Sequence, residues 1–291
     1  MKSLPSAALV LLLVGCAKEE SVQPPPATTV PDTQPVAVMP AREQQTVTLP
    51  GDSPIPASGV LLWLRADDAV ASAQGGKVQS WQNTLVPNAS AGPVHPDRLP
   101  MVVADAISGH AVVRFDGTDQ TLMTSIDIGS RRMPYGTVIT VFRSTTADKS
   151  PFRKLYGNDN GGFDRAVGLD DRSERNYTLF TGSGVAGYFD LVSNTTYVGV
   201  DEYSPDTFSG WVNGGVAVAT IAAAWHEDAL PNMYIGGTGT VFNEYWSGDL
   251  AEIIVYARKL SDAERMQVED YLGQKYGVTM TRSSSAVATP Q

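Results

Sequence analysis

The feature that most restricts this chain is a rhythm. Short apolar runs alternate with turn clusters from about residue 58 to residue 278. The runs cover residues 60–64, 78–81, 111–115, 137–142, 177–180, 197–200 and 253–256. Gly, Asn and Asp fill the gaps, as at Asp116-Gly117, in 157–162 and at Gly236-Gly237. β-branched and aromatic runs of this length, bounded by such residues, read as strands, and many of them in series read as an all-β sandwich or barrel. Residues 211–218 read as a hairpin, because Asn213-Gly214 supplies the two positive-φ positions of a type I′ turn. In the last run, alternation puts Leu250, Glu252, Ile254 and Tyr256 on one face and Asp249, Ala251, Ile253 and Val255 on the other. Both faces are largely apolar, so this strand belongs in the middle of a packed structure. One helix follows. Ser261 and Glu264 have the spacing of a capping box, and Gly277 is placed to end the helix. These elements make one domain over 58–278, with 279–291 as a polar tail.

The start of the chain has a different character. Lys2 precedes an apolar run of about eleven residues, whereas a membrane span needs about 20. That pattern is a secretory signal over 1–15. Leu13-Val14-Gly15-Cys16 resembles the lipobox of bacterial lipoproteins. The resemblance implies that Cys16 receives a diacylglyceryl group, becomes the first mature residue and is acylated on its amine. Several acyl chains anchor a protein to a membrane without spanning it. Ala17, in place of an Asp, implies the outer membrane of the cell envelope. An ordinary cleaved signal would instead leave Cys16, the single cysteine, as a free thiol in an oxidising compartment. Residues 16–57 hold Pro24-Pro25-Pro26 and six further prolines without an aromatic residue. Such a stretch cannot offset its ordering entropy by burial. It reads as a disordered tether reaching roughly 35 Å or more.

The formal net charge of −10 disfavours nucleic acid as a partner, since phosphate contacts come from Lys and Arg. With one cysteine, no disulfide can form within the chain.

Three stretches together carry a further resemblance. They are Leu61-Leu62-Trp63-Leu64-Arg65-Ala66-Asp67 with Val78-Gln79-Ser80-Trp81, then residues 112–122, then residues 248–265. They resemble bacterial laminin-G-like domains of the concanavalin A-like lectin/glucanase superfamily. The resemblance implies a jelly-roll sandwich of two antiparallel sheets with one C-terminal helix. It also implies a binding module for carbohydrate or a surface glycoconjugate. The alternatives are a protein–protein module of the envelope and, last, a polysaccharide hydrolase or lyase.

Glycanases of that superfamily carry Glu-x-Asp-x-Glu, which sets three acids on one strand face. This chain lacks the triplet, and Asp249 and Glu252, three apart, are expected on opposite faces. The expectation is therefore that the protein is not an enzyme. There is no Gly-x-Ser-x-Gly and no His-Glu-x-x-His, and His95, His110 and His226 have no metal-ligand spacing. The loop over 157–165 gathers Asn158, Asp159, Asn160 and Asp164 among glycines. Calcium prefers such oxygens, so Asp159, Asn160 and Asp164 are its candidate ligands, with direct ligand contact or a plain turn as the alternatives. Arg165 is expected to pair with a nearby acid. Trp63, Trp81 and Trp211 lie inside strand patterns and are expected in the core. Trp225, Tyr245 and Trp246 adjoin turns and are expected to face a ligand.

Overall fold

Strands that are apolar on both faces need a layer on each side, and this chain supplies those layers. The computed structural model describes residues 53–83, 90–161, 165–181, 184–215, 219–222, 230–239 and 242–282, all within one compact unit, Val38–Gln291. Cys16, Asp164, Trp225, the signal segment and nearly all of the tether lie outside the described residues.

The main strands are β1 (Val60–Arg65), β2 (Met101–Ile107), β3 (His110–Asp116), β4 (Gly136–Ser144), β5 (Arg153–Gly157), β6 (Arg165–Leu169), β7 (Tyr177–Thr181), β8 (Gly184–Phe189), β9 (Thr196–Tyr203), β10 (Thr207–Val212), β11 (Ala219–Ala222) and β12 (Ser247–Tyr256). The larger sheet runs β11-β10-β9-β4-β12-β3-β2, continues into two short strands, and has β1 paired to the second half of β12. The smaller sheet runs β8-β7-β6-β5 and continues through Tyr234–Ile235, Leu122–Met123 and Gly92–Pro93. Every pairing between these strands is antiparallel. The all-β sandwich expected from the sequence is the fold observed.

Two cores follow. Leu62, Phe115, Phe142, Leu155, Tyr156, Leu179 and Trp246 fill the space between the sheets. Trp63, Val112, Ile139, Val141 and Ile254 face outward from the larger sheet and meet Val268, Leu272 and Tyr276 of the C-terminal helix, Asp262–Tyr276. Each such side chain contributes about 1.5–3 kcal/mol when fully buried. The helix ends are built as expected. Ser261 and Glu264 form the capping box, and Gly277 closes the helix at φ 67°. Asn213 and Gly214 adopt φ 50° and 72°, and the Gly215 amide donates to the Val212 carbonyl at 2.9 Å.

One expectation for β12 fails. A bulge between Leu250 and Glu252 interrupts its register with β4. An extra residue at a bulge reverses the alternation beyond it. Leu250 therefore shares the inter-sheet core with Ile253 and Val255, while Ala251, Ile254 and Tyr256 face the helix. Asp249 and Glu252 consequently lie on the same outer face. Asp249 pairs there with Arg114 and Arg143, and Glu252 with Lys275 and Tyr276.

Candidate functional site on the smaller sheet

The outer face of the smaller sheet is organised by a second bulge. Tyr156 opposes Val167 and Lys154 opposes Gly168, with the register shifting between them. Leu155 and Tyr156 both enter the inter-sheet core, and Lys154 turns outward. Gly168 is required at this crossing. Its φ is 155°, and an added Cβ would sit 2.2 Å from the Arg153 carbonyl oxygen.

Lys154 and Asp170 are both fully buried, with Nζ 2.6 Å from Oδ2. Arg172 closes on the same carboxylate. Its Nε donates to Oδ1 at 2.8 Å, its backbone amide donates to Oδ1 at 3.0 Å, and its Nη2 binds Oδ2. Phe152 and Phe180 flank both cations. Nζ of Lys154 lies 5.7 Å from each ring, and the Arg172 guanidinium 4.6 and 4.8 Å. The 244–246 segment runs beside β5. The Lys154 amide donates to the Glu244 carbonyl at 3.0 Å, and Tyr245 bridges to Lys154. Thr238 Oγ1 donates to the Glu244 carboxyl at 3.2 Å.

The charges tune one another. Burial would push the Asp170 carboxyl up, but the hydrogen bonds from Arg172 and the charge of Lys154 prevail and hold it at about 2. Burial pushes Lys154 down against the pull of Asp170. Burial pushes Glu244 up, opposed by Lys154 and reinforced by the negative charge of Asp159. The site thus holds one firmly ionised carboxylate and one carboxyl pushed up from its ordinary value. Phe152, Arg172, Glu244 and Tyr245 are its partly exposed members. A planar guanidinium, a carboxyl group and ring faces suit a ligand with both hydroxyl and apolar surfaces.

Of the residues singled out in the sequence, Asp159 and Tyr245 belong to this cluster. Asn158 does not act there. It is fully buried; its Oδ1 accepts from the Arg165 amide at 3.0 Å and its Nδ2 donates to the Leu230 carbonyl at 3.4 Å. It stitches the ends of its own hairpin, which corrects the expectation of ligand contact. Trp246 is corrected as well. It immediately precedes β12, is fully buried, and meets Phe142 edge-on at 5.9 Å. Arg165 donates to the carbonyls of Ile128 and Met133 at 2.7 and 2.8 Å and stacks on Tyr203 at 4.3 Å, where an acid was expected. Asn160 is half-buried on the turn after Asp159. The Asp159 carboxylate accepts from the Gly161 amide at 2.7 Å. Among the described residues no three His, Cys, Asp or Glu side chains gather to hold a metal, so the calcium expectation gains no support from them. Asp170 and Arg172 fall in Asp170-Asp171-Arg172, which the sequence offers as a weaker polar cluster of the same kind as 157–165, whereas Phe152, Lys154, Phe180 and Glu244 were missed.

No family model matches the chain, and no curated protein matches it. Solved structures do. A Trypanosoma rangeli sialidase in complex with the inhibitor DANA matches with TM-score 0.52 and 14% identity, over 74% of this chain and 33% of the sialidase. A mutant GH54 α-L-arabinofuranosidase soaked with 4-nitrophenyl α-L-arabinofuranoside matches with TM-score 0.53 and 12% identity, over 75% of this chain and 60% of the enzyme. The chain therefore spans about a third of the one and three fifths of the other. At these identities the likeness is one of fold. It corrects the expectation that the protein is not an enzyme to this extent: the same fold occurs within a sialidase and an α-L-arabinofuranosidase, so the fold does not speak against one. The bulge in β12 also removes one part of the argument for that expectation, since Asp249 and Glu252 share a face; the Glu-x-Asp-x-Glu triplet is still absent.

Proposed function

We propose that this domain engages glycans through the outer face of its smaller sheet, at a cell envelope to which Cys16 holds it by lipid. The observation that carries the reading is the shelf of Phe152, Arg172, Glu244 and Tyr245 over the buried Lys154–Asp170 pair. The sugar-directed chemistry of the two neighbours supports it. A glycan array with the full chain tests it. Binding that Phe152→Ala and Arg172→Ala weaken is expected, and a blank array sinks the reading. For the anchor, metabolic labelling with a fatty acid is expected to mark the chain and to miss Cys16→Ser.

Hydrolysis is a second reading, favoured by Glu244 beside Asp159. Two neighbouring carboxyls, one of them pushed up by burial, are the kind of pair that acts on a glycosidic bond. Release of reducing ends from a polysaccharide panel, abolished by Glu244→Gln, is the expected result. Binding without release would leave recognition alone.

A further inference from the structure

The outer face of the larger sheet, on the other side of the sandwich, carries a cleft of about 470 Å³. That is within the usual range for a small-molecule site. Ser108, Thr195, Thr196, Asn213 and Thr279 line it, and Arg143 is the one charged residue in its lining. One wall is the segment after the C-terminal helix. It is tied down by the Val278 amide on the Gly273 carbonyl at 2.9 Å and by the Thr281 amide on the Asn213 carbonyl at 2.6 Å.

The charge on Arg143 is incompletely matched. Its Nε and Nη2 both bind Asp249. That carboxylate also takes two bonds from Arg114, at 2.6 and 3.1 Å. Two guanidiniums thus share one carboxylate, which leaves a net positive charge. Nη1 of Arg143 has only a long 3.4 Å contact with the Ala106 carbonyl, so it keeps donor capacity beside the cleft. The hydroxyl of Ser108 donates to the Tyr276 carbonyl at 2.8 Å and stays open as an acceptor.

Tight turns shape the walls of the cleft. Among the described residues, four that are not glycine have left-handed φ: Asp105, Ser108, Asn194 and Asn213. Ser108 and Asn213 line the cleft, and the other two immediately precede the lining residues Ala106 and Thr195. Ser108 and Asn213 take this conformation as the first residues of two-residue hairpin turns, whose tips frame the cleft.

We infer that this cleft binds a small hydroxylated carboxylate, of the class of a hexuronate unit. Its carboxylate would lie on Arg143 Nη1 and its hydroxyls on Ser108, Thr195 and Thr196. The inference is independent of the glycan face described above. The test is calorimetric titration of the full chain with glucuronate, glucose and sulfate. Glucuronate is expected to bind at least about tenfold more tightly than glucose, the scale of one hydrogen bond to a charged group, and more tightly than sulfate. Arg143→Gln, which leaves Asp249 its Arg114 partner, is expected to erase the preference over glucose. Thr195→Trp, placed at an exposed position, is expected to fill the cleft and block glucuronate without disturbing the core. No glucuronate binding, equal affinity for glucose or for sulfate, or undiminished binding by Thr195→Trp would overturn the proposal.

Discussion

The outer faces of the two sheets handle buried charge in different ways. On the larger sheet, Glu252 is neutralised by a whole element. The C-terminal helix brings Lys275 and Tyr276 to its carboxylate, at 2.7 and 2.8 Å, and Trp63 Nε1 donates from β1. Around that knot the helix buries an apolar layer. On the smaller sheet, Lys154 is neutralised by Asp170, and the pair is covered by side chains: Phe152, Phe180, Arg172 and the 244–245 segment. Where the helix lies, the larger sheet's face is committed to packing, and its cleft opens only at the helix's C-terminal end. A face sealed by side chains keeps rings, a guanidinium and a carboxyl at its rim, where a ligand can reach them. The comparison thus separates a stabilising charge knot from one poised for recognition.

The sharpest way to break this contrast is to remove Asp170. Asp170→Ala strands a buried ammonium, and the loss expected is about 3–5 kcal/mol in urea unfolding. Lys154→Met should cost less, because Asp170 keeps Arg172. The double change Lys154→Met with Asp170→Leu should recover most of the stability, as replacing a buried pair by apolar groups often does. Glu252→Ala is the matching change on the other face. Lys275 can turn toward water, so the cost is set by the two donors left without an acceptor, about 2–3 kcal/mol. If Glu252→Ala proved the more damaging, the smaller sheet's pair would not be the buried centre described here. Ser261→Ala tests the helix alone. Losing its cap should cost about 1 kcal/mol and leave ligand binding on the smaller sheet unchanged.

How far the sequence reveals this molecule depends on the range of the interaction concerned. The capping box at Ser261, the left-handed Gly277 and the Asn213-Gly214 turn are legible because local chemistry dictates them. The doubly buried β12 is legible because both its faces are apolar. The two bulges are not. Each is set by a register against a neighbouring strand, β4 in one case and β6 in the other, and each changes which side a charged residue faces. Asp249 was assigned the wrong face for that reason, and Lys154 went unnoticed. Trp246 adjoins a turn in the chain, yet its amide bonds the Gly236 carbonyl and its ring is fully buried. The candidate site joins positions 152–154, 170–172, 180 and 244–245. No linear motif spans them, so only the pairing of the sheet brings them together.

The smallest predicted effect is also the most specific to the smaller sheet. Asp170 and Glu244 share one cluster but are shifted in opposite directions. The Asp170 carboxyl is held at about 2, below its ordinary 3.8. Its contribution is therefore complete above about pH 4 and is lost as pH falls toward 2. Glu244 is raised above its ordinary 4.5. Its contribution is complete below that value and is lost as pH rises through the folded-state value. Glu244→Gln mimics the protonated form, so it should stabilise the domain at pH 7 by about half a kcal/mol, given its partial exposure, and do nothing at pH 4. Asp170→Asn should cost most at pH 7 and progressively less toward pH 2. Thermal melts at these three pH values separate the two carboxyls. Parallel pH profiles for the two variants would show that the cluster does not tune its acids apart, and the acid/base reading of Glu244 would fall with it.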